Sequence, residues 1–252
     1  MGMFAPQILT LDQMALCHKT MSANAFYMLV GDALMAKRRL SVVRMGDGEV
    51  ELLNEIRNLH LERPIEARDE AWRKKLGISG ITRLELGERL TYAMNECTYF
   101  APSISGIQRG DFHLHSRSDK RDVYVDNFFV NAWTPEMQIA LYRQAGRILF
   151  IHRNPVCGEW FAKRCRCLLG VPVDYFQLDN WTETEAVIER AHLNTASLVL
   201  FSAGPAGKYI GPAIAKNLDT PKVVIDLGNA SDHWLLEKFH KQTLEAIAKG
   251  SL

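Results

Sequence analysis

The chain has 252 residues, 47% hydrophobic and 23% charged, which excludes a largely disordered protein and suits one α/β domain with an inserted helical segment. A formal net charge of +1 provides no global positive field for holding duplex nucleic acid. Five cysteines without a CxxC pair, no secretory signal, no apolar run of membrane-spanning length and Pro6 where a myristoylation signal takes Ser or Thr predict reduced thiols and a cytoplasmic location without a membrane anchor.

Thr10 is placed to cap a long scaffold helix from Leu11 to Arg39, whose apolar face begins at Leu11, Met14, Ala15 and Cys17. Leu40 to Arg44 reads as a short buried strand, and Gly46-Asp47-Gly48 turns the chain into a helix running from Glu49 toward Arg57. From Leu59 to Asn95 the pattern is helical and charged, broken near Gly77 and Gly80, with Thr82 capping a helix through Leu90. The stretch from Thr98 to Asp122 keeps no period and holds Gly106, Arg109, Gly110, His113, His115, Arg117 and Arg121. It reads as a functional loop, with Ser103 to Asp122 either a mobile acceptor-side lid or a surface excursion with a short hairpin. The two histidines fit surface residues better than metal ligands.

Thr134-Pro135 opens another helix, since threonine caps free amides and proline suits the first helical position. Thereafter Arg147 to Ile151, Val173 to Gln177, Ser197 to Phe201 and Lys222 to Leu227 read as strands, separated by helices near Glu159 to Leu169, Glu183 to His192 and Ala206 to Asn217. This alternation predicts a Rossmann-like, mostly parallel sheet flanked by helices. Ligands of such sheets bind beyond the carboxyl ends of the strands, so the loops after Arg44, Ile151, Phe201 and Leu227 are expected to meet at one site.

Four segments carry candidate chemistry. In Arg44-Met45-Gly46-Asp47-Gly48-Glu49, glycines permit close approach of a ligand, and the carboxylates Asp47 and Glu49 suit Mg²⁺ or Mn²⁺ beside a diphosphate. The alternative is an acidic turn whose carboxylates favour the helix dipole. In Phe201-Ser202-Ala203-Gly204-Pro205-Ala206-Gly207-Lys208, helix amides and Lys208 can hold phosphate oxygens, or the glycines merely pack tightly. The spacing matches neither a P-loop nor GxGxxG, which disfavours ATP hydrolysis and dinucleotide binding. His152-Arg153-Asn154 follows a strand, which favours Arg153 over Arg164 in the next helix as a phosphate grip. Asp226-Leu227-Gly228 ends the last strand, where Asp226 holds a ribose or metal or serves as a core-edge cap; Asp232-His233-Trp234 opens a final helix. Cys157, Cys165 and Cys167 lack the spacing of a zinc module and read as structural thiols.

Taken in order, Arg-x-Gly-Asp-Gly-Glu after a strand, then Gly-Pro-x-Gly-Lys and Ile-Asp-Leu-Gly before an aromatic, resemble the GT-D family of glycosyltransferases. The likeness spans Leu40 to Trp234 and is sharpest at Val42 to Leu53 and Leu198 to Trp234, with Met45 where phenylalanine is common. It implies a Rossmann-like fold distinct from the two commoner glycosyltransferase folds, divided here into an N-terminal helical scaffold (1–39), a core (40–235) and a C-terminal helix (236–252). It further implies a DxE motif at Asp47 and Glu49 for nucleotide-sugar and metal binding. Donor contacts would come from Arg44, Gly46, Gly48, His152, Arg153, Gly204, Pro205, Gly207, Lys208, Asp226 and Gly228.

The implied reaction is hexosyltransferase-type transfer from a nucleoside-diphosphate sugar to a hydroxyl of a glycan, glycoprotein or other polymer, with Asp47 or Glu49 as catalytic carboxylates. Family members extend sugars already attached to bacterial surface glycoproteins. Competing readings are a transferase acting on DNA bases, disfavoured by the near-neutral charge, and a nucleotide-binding scaffold without turnover.

Overall fold

The structure, a computed structural model, describes residues 18–46, 49, 77–102 and 122–228. In chain order the strands are Thr20–Met21 (β1), Leu40–Arg44 (β2), Tyr99–Ala101 (β3), Tyr124–Val125 (β4), Ile148–His152 (β5), Val173–Gln177 (β6), Leu198–Ser202 (β7) and Val223–Asp226 (β8). The helices are Ala23–Met35 (α1), Arg83–Glu96 (α2), Phe129–Ala132 (α3), Pro135–Ala145 (α4), Pro155–Arg164 (α5), Thr184–Leu193 (α6) and Gly204–Ala215 (α7). Every position of β2, β5, β7 and β8 is buried, as required of strands covered on both faces. They belong to a six-stranded sheet of order β3-β2-β8-β7-β5-β6, parallel throughout; β1 and β4 form a separate parallel pair.

Alternation along each strand builds two cores. On one face Val43, Leu149, Ile151, Val199, Phe201 and Val224 pack with Leu86 and Leu90 of α2, Val187 of α6, and Ile210 and Ile214 of α7. On the other, Val42, Ile148, Phe150, Leu200 and Ile225 pack with Phe26 and Val30 of α1, Leu141 of α4 and Phe161 of α5. The helix after β5 therefore covers one face and the helix after β7 the other. The loops leaving these adjacent strands diverge, which places a topological switch point at their carboxyl ends.

Several expected elements are present with shifted ends. Thr82 accepts from the Glu85 N–H at 3.1 Å and starts α2, which runs past Leu90 to Glu96. Thr134 accepts from the Met137 N–H at 3.3 Å and Gly146 ends α4 in the left-handed conformation. The helix expected from Glu159 begins earlier, because Asn154 accepts from the Val156 N–H at 2.9 Å and Pro155 takes the first turn. Its last residues, Cys165–Leu169, widen into a π-turn that Gly170 terminates.

Other expectations are corrected. The helix drawn from Leu11 to Arg39 is limited, within the described residues, to Ala23–Met35: Thr20 and Met21 pair with Tyr124 and Val125, and Ser22 supplies the cap at 3.2 Å from the Ala25 N–H. It ends before Arg39 because Lys37 turns left-handed at φ +48° and the Arg38 N–H returns to the Ala33 carbonyl at 2.8 Å. Tyr99–Ala101, read as loop, is the edge strand beside β2. Residues 103–121 of the lid segment with its histidines, residues 11–17, the helix expected to run from Glu49 toward Arg57 beyond Glu49 itself, and the C-terminal helix lie outside the described residues. Among the described residues no helix is long and apolar enough to cross a membrane.

Gly158 of α5 shows how closely helix and sheet approach. A Cβ there would stand 2.1 Å from the Tyr175 Cε2 of β6, so the ring occupies the space any side chain needs. Gly158→Ala is expected to lower the unfolding free energy by about 1–3 kcal/mol through overpacking, read by denaturant titration. Combining it with Tyr175→Leu should recover part of the loss; no loss in the single variant would refute the tight packing.

Candidate functional site

Arg44 ends β2 on a buried site. Its guanidinium Nε donates to the Asn127 carbonyl at 2.6 Å and to Asn127 Oδ1 at 2.7 Å, while Nη1 donates to the Leu227 carbonyl. Asn127 Nδ2 in turn donates to the Met45 carbonyl at 3.1 Å. Burial pulls the guanidinium pKa down, opposed by the charges of Asp226, Glu49 and Asp126. Arginine's high intrinsic pKa keeps it a cation there. Arg44 thus joins the ends of β2 and β8 to the turn before α3, and its side chain is committed to protein partners.

Asp226 ends β8 only 1% exposed. Its Oδ2 accepts from the Arg44 backbone N–H at 2.9 Å and from Lys208 Nζ at 2.6 Å, and its Oδ1 accepts from the Gly228 N–H at 2.9 Å. Lys208 comes from the second turn of α7, is equally buried, and also lies 3.7 Å from Glu49 Oε1. Glu49 Oε2 accepts from the Gly46 N–H at 3.0 Å, closing the turn that follows β2. Two acids and one ammonium therefore share one pocket of low dielectric, where each charge gains from its partners. Gly228, at φ +53°, could not carry a side chain, since a Cβ would fall 2.6 Å from Arg44 Nη1.

The glycine-rich start of α7 divides by role. Gly204 takes φ +59°, turning the chain from β7 into the helix, with Pro205 in the first turn. Gly207 faces the sheet, because a Cβ there would meet Phe201 Cδ2 at 2.9 Å. Its absence of side chain serves helix-to-strand packing and lets Lys208 reach Asp226. Ser202, part of the glycine-rich segment but given no role of its own from sequence, donates through Oγ to the Gly228 carbonyl at 2.6 Å and ties β7 to the loop after β8.

The loop after β5 is split between the faces. His152 is 2% exposed, its ring 5.3 Å from that of Phe150 and its Nδ1 2.9 Å from the Asn154 amide nitrogen. Strand alternation puts that ring on the α5 face, away from Lys208 and Asp226, so the structure does not bring His152 to the charged cluster. Tyr175 Oη donates to the His152 carbonyl at 3.1 Å and braces this edge. Arg153 is at the switch point: its N–H donates to the Ser202 carbonyl at 3.3 Å, and its guanidinium packs on Gly77, where a Cβ would stand 3.3 Å from Cζ. Burial lowers the Arg153 pKa and the charge of Asp179 raises it.

The structure therefore gathers Arg44, Gly46, Glu49, Lys208, Asp226 and Gly228, with Gly204, Pro205 and Gly207 supporting from α7 and Arg153 one strand along. Asp47 and Gly48 lie outside the described residues. Asn127 was not anticipated, since an isolated Asp-Asn pair before an aromatic carries no signal beyond a turn.

For a divalent cation the fit is partial. Among the described residues no three His, Cys, Asp or Glu side chains gather closely enough to hold one. Both Asp226 oxygens accept hydrogen bonds, which leaves Glu49 Oε1 as the oxygen here best able to turn to a hard cation. No protein-family model, curated protein or solved structure matches the chain.

Proposed function

We propose that the chain is a glycosyltransferase of the GT-D type, transferring a sugar from a nucleoside-diphosphate donor to a hydroxyl of a glycan or glycoprotein. One observation carries this reading: three separated motifs, expected from sequence to act together, meet at the carboxyl edge of one parallel sheet as Arg44 and Glu49, Lys208, and Asp226. That edge is where ligands of doubly wound sheets bind.

In the transfer the acceptor oxygen bonds to the anomeric carbon, the bond from that carbon to the phosphate oxygen breaks, and the nucleoside diphosphate leaves with the electron pair. Negative charge grows on the leaving diphosphate. Arg153 would meet that charge from the switch point and Lys208, buried against Asp226 and Glu49, would add its field from beneath, while Arg44 positions the turn that carries Glu49. In an inverting reaction the acceptor hydroxyl surrenders its proton to a carboxylate, and Glu49 is the described candidate. Mg²⁺ or Mn²⁺ held by Asp47 and Glu49 would neutralise diphosphate charge when bound.

Two measurements test the reading. Nucleoside diphosphates and nucleotide sugars, with Mn²⁺, should raise the melting temperature, since a ligand that binds only the native state stabilises it by about 2.7 kcal/mol at a hundredfold excess over Kd. Lys208→Ala should weaken nucleoside-diphosphate binding by about tenfold or more in calorimetry. Unchanged affinity would place the phosphates nearer Arg153, and no shift with any nucleotide would overturn the assignment.

A further inference from the structure

The opposite edge of the sheet carries a second concavity. At the amino ends of β2, β3 and β8, a pocket of about 460 Å³ is lined by Lys37, Arg38, Arg39, Thr98 and Lys216 and by one acid, Glu96, among others. It lies roughly 16 Å, one five-residue strand, from Arg44 and Asp226. The charged site above plays no part in it.

The carboxyl ends of α1, α2 and α7 border this pocket, and helix C-termini favour cations. That effect explains only part of the charge. The Lys37 and Arg38 N–H groups already close α1, donating to the Leu34 carbonyl at 3.2 Å and the Ala33 carbonyl at 2.8 Å. Arg39 Nη1 donates to the Lys216 carbonyl at 3.3 Å, and Lys216 pairs with Glu96 at 2.8 Å. The side chains of Lys37 and Arg38 make no hydrogen bond or ion pair with the described residues, and both are exposed.

Lys37 holds φ +48°, the left-handed conformation that closes α1 and that glycine takes without a Cβ penalty. The chain accepts that conformation with a cation at the pocket rim. The Ser41 and Thr98 hydroxyls accept from each other's backbone N–H, at 3.0 Å each, which fixes the two strand starts beside the cations.

We propose that this pocket binds a small anion of the phosphate or diphosphate class, held by Lys37, Arg38 and Arg39 at a site separate from the donor site. Its volume is that of a small-molecule pocket. A nucleic acid would need a longer basic track than a chain of net charge +1 offers.

The full chain titrated with inorganic pyrophosphate, followed by hydrogen exchange, separates the two sites. Protection is expected at residues 36–41, independent of any at residues 202–208. Lys37→Gln combined with Arg38→Gln should weaken the protection-linked affinity by about tenfold or more while lowering the melting temperature only by the small helix-end contribution of two exposed cations. Protection confined to residues 202–208, an affinity unaffected by the double variant, or binding of heparin and duplex DNA without binding of pyrophosphate would each overturn the proposal.

Discussion

Asp226→Ala is expected to lower the unfolding free energy by about 3–5 kcal/mol, among the largest effects of any single substitution in the described structure. The carboxylate is the common partner of Lys208 Nζ at 2.6 Å, the Arg44 N–H at 2.9 Å and the Gly228 N–H at 2.9 Å. Alanine would leave an ammonium that is 3% exposed with only Glu49, 3.7 Å away, to balance it. The desolvation of a charge is offset only while its partner is present, which is why breaking a buried pair costs more than the pair contributes. Denaturant unfolding of three variants checks this account. Asp226→Ala should show the full loss, Asp226→Asn a smaller one because acceptors for the backbone N–H groups remain, and Asp226→Ala with Lys208→Met a partial recovery because the stranded charge is gone. Failure of Lys208→Met to recover any stability would mean the loss comes from the Arg44 and Gly228 contacts instead.

The same cluster marks how far the sequence could be read. β5, β7 and β8 were legible because five or so consecutive apolar residues between turns admit few other structures, and Thr82 and Thr134 announced their helices through capping chemistry. Tyr99–Ala101 and Thr20–Met21 were not, since strands of three and two residues display no period; their pairing depends on partners elsewhere in the chain.

At the site, Lys208 and Asp226 each stood out in the sequence, yet their ion pair is a product of the fold, which lays α7 across β8. Arg44 illustrates the converse. It looked like a phosphate contact, but its guanidinium is taken by Asn127, 83 positions away, a partner no local pattern reveals. His152 follows the right strand, but the parity of β5 turns its ring to the α5 face.

Glu49→Gln should cut turnover by about a hundredfold or more while lowering the unfolding free energy by only about 1–2 kcal/mol, less than Asp226→Ala does. The stability forecast follows from its contacts. A glutamine carbonyl can still accept from the Gly46 N–H, now at 3.0 Å, and Lys208 keeps its nearer partner Asp226 at 2.6 Å when the ion pair at 3.7 Å is lost. The activity forecast follows from charge, because an amide can neither take a proton from an acceptor hydroxyl nor hold a divalent cation as a carboxylate does. Release of nucleoside diphosphate from a nucleotide sugar, with water or an added glycan as acceptor, measures turnover. Calorimetry of nucleoside diphosphate in Mn²⁺ then separates the two roles of the carboxylate. Lost turnover with retained Mn²⁺-dependent affinity makes Glu49 the base; loss of both makes it a metal ligand, with the base elsewhere. Wild-type turnover in Glu49→Gln would remove this residue from the chemistry and leave it as the clasp that closes the turn after β2.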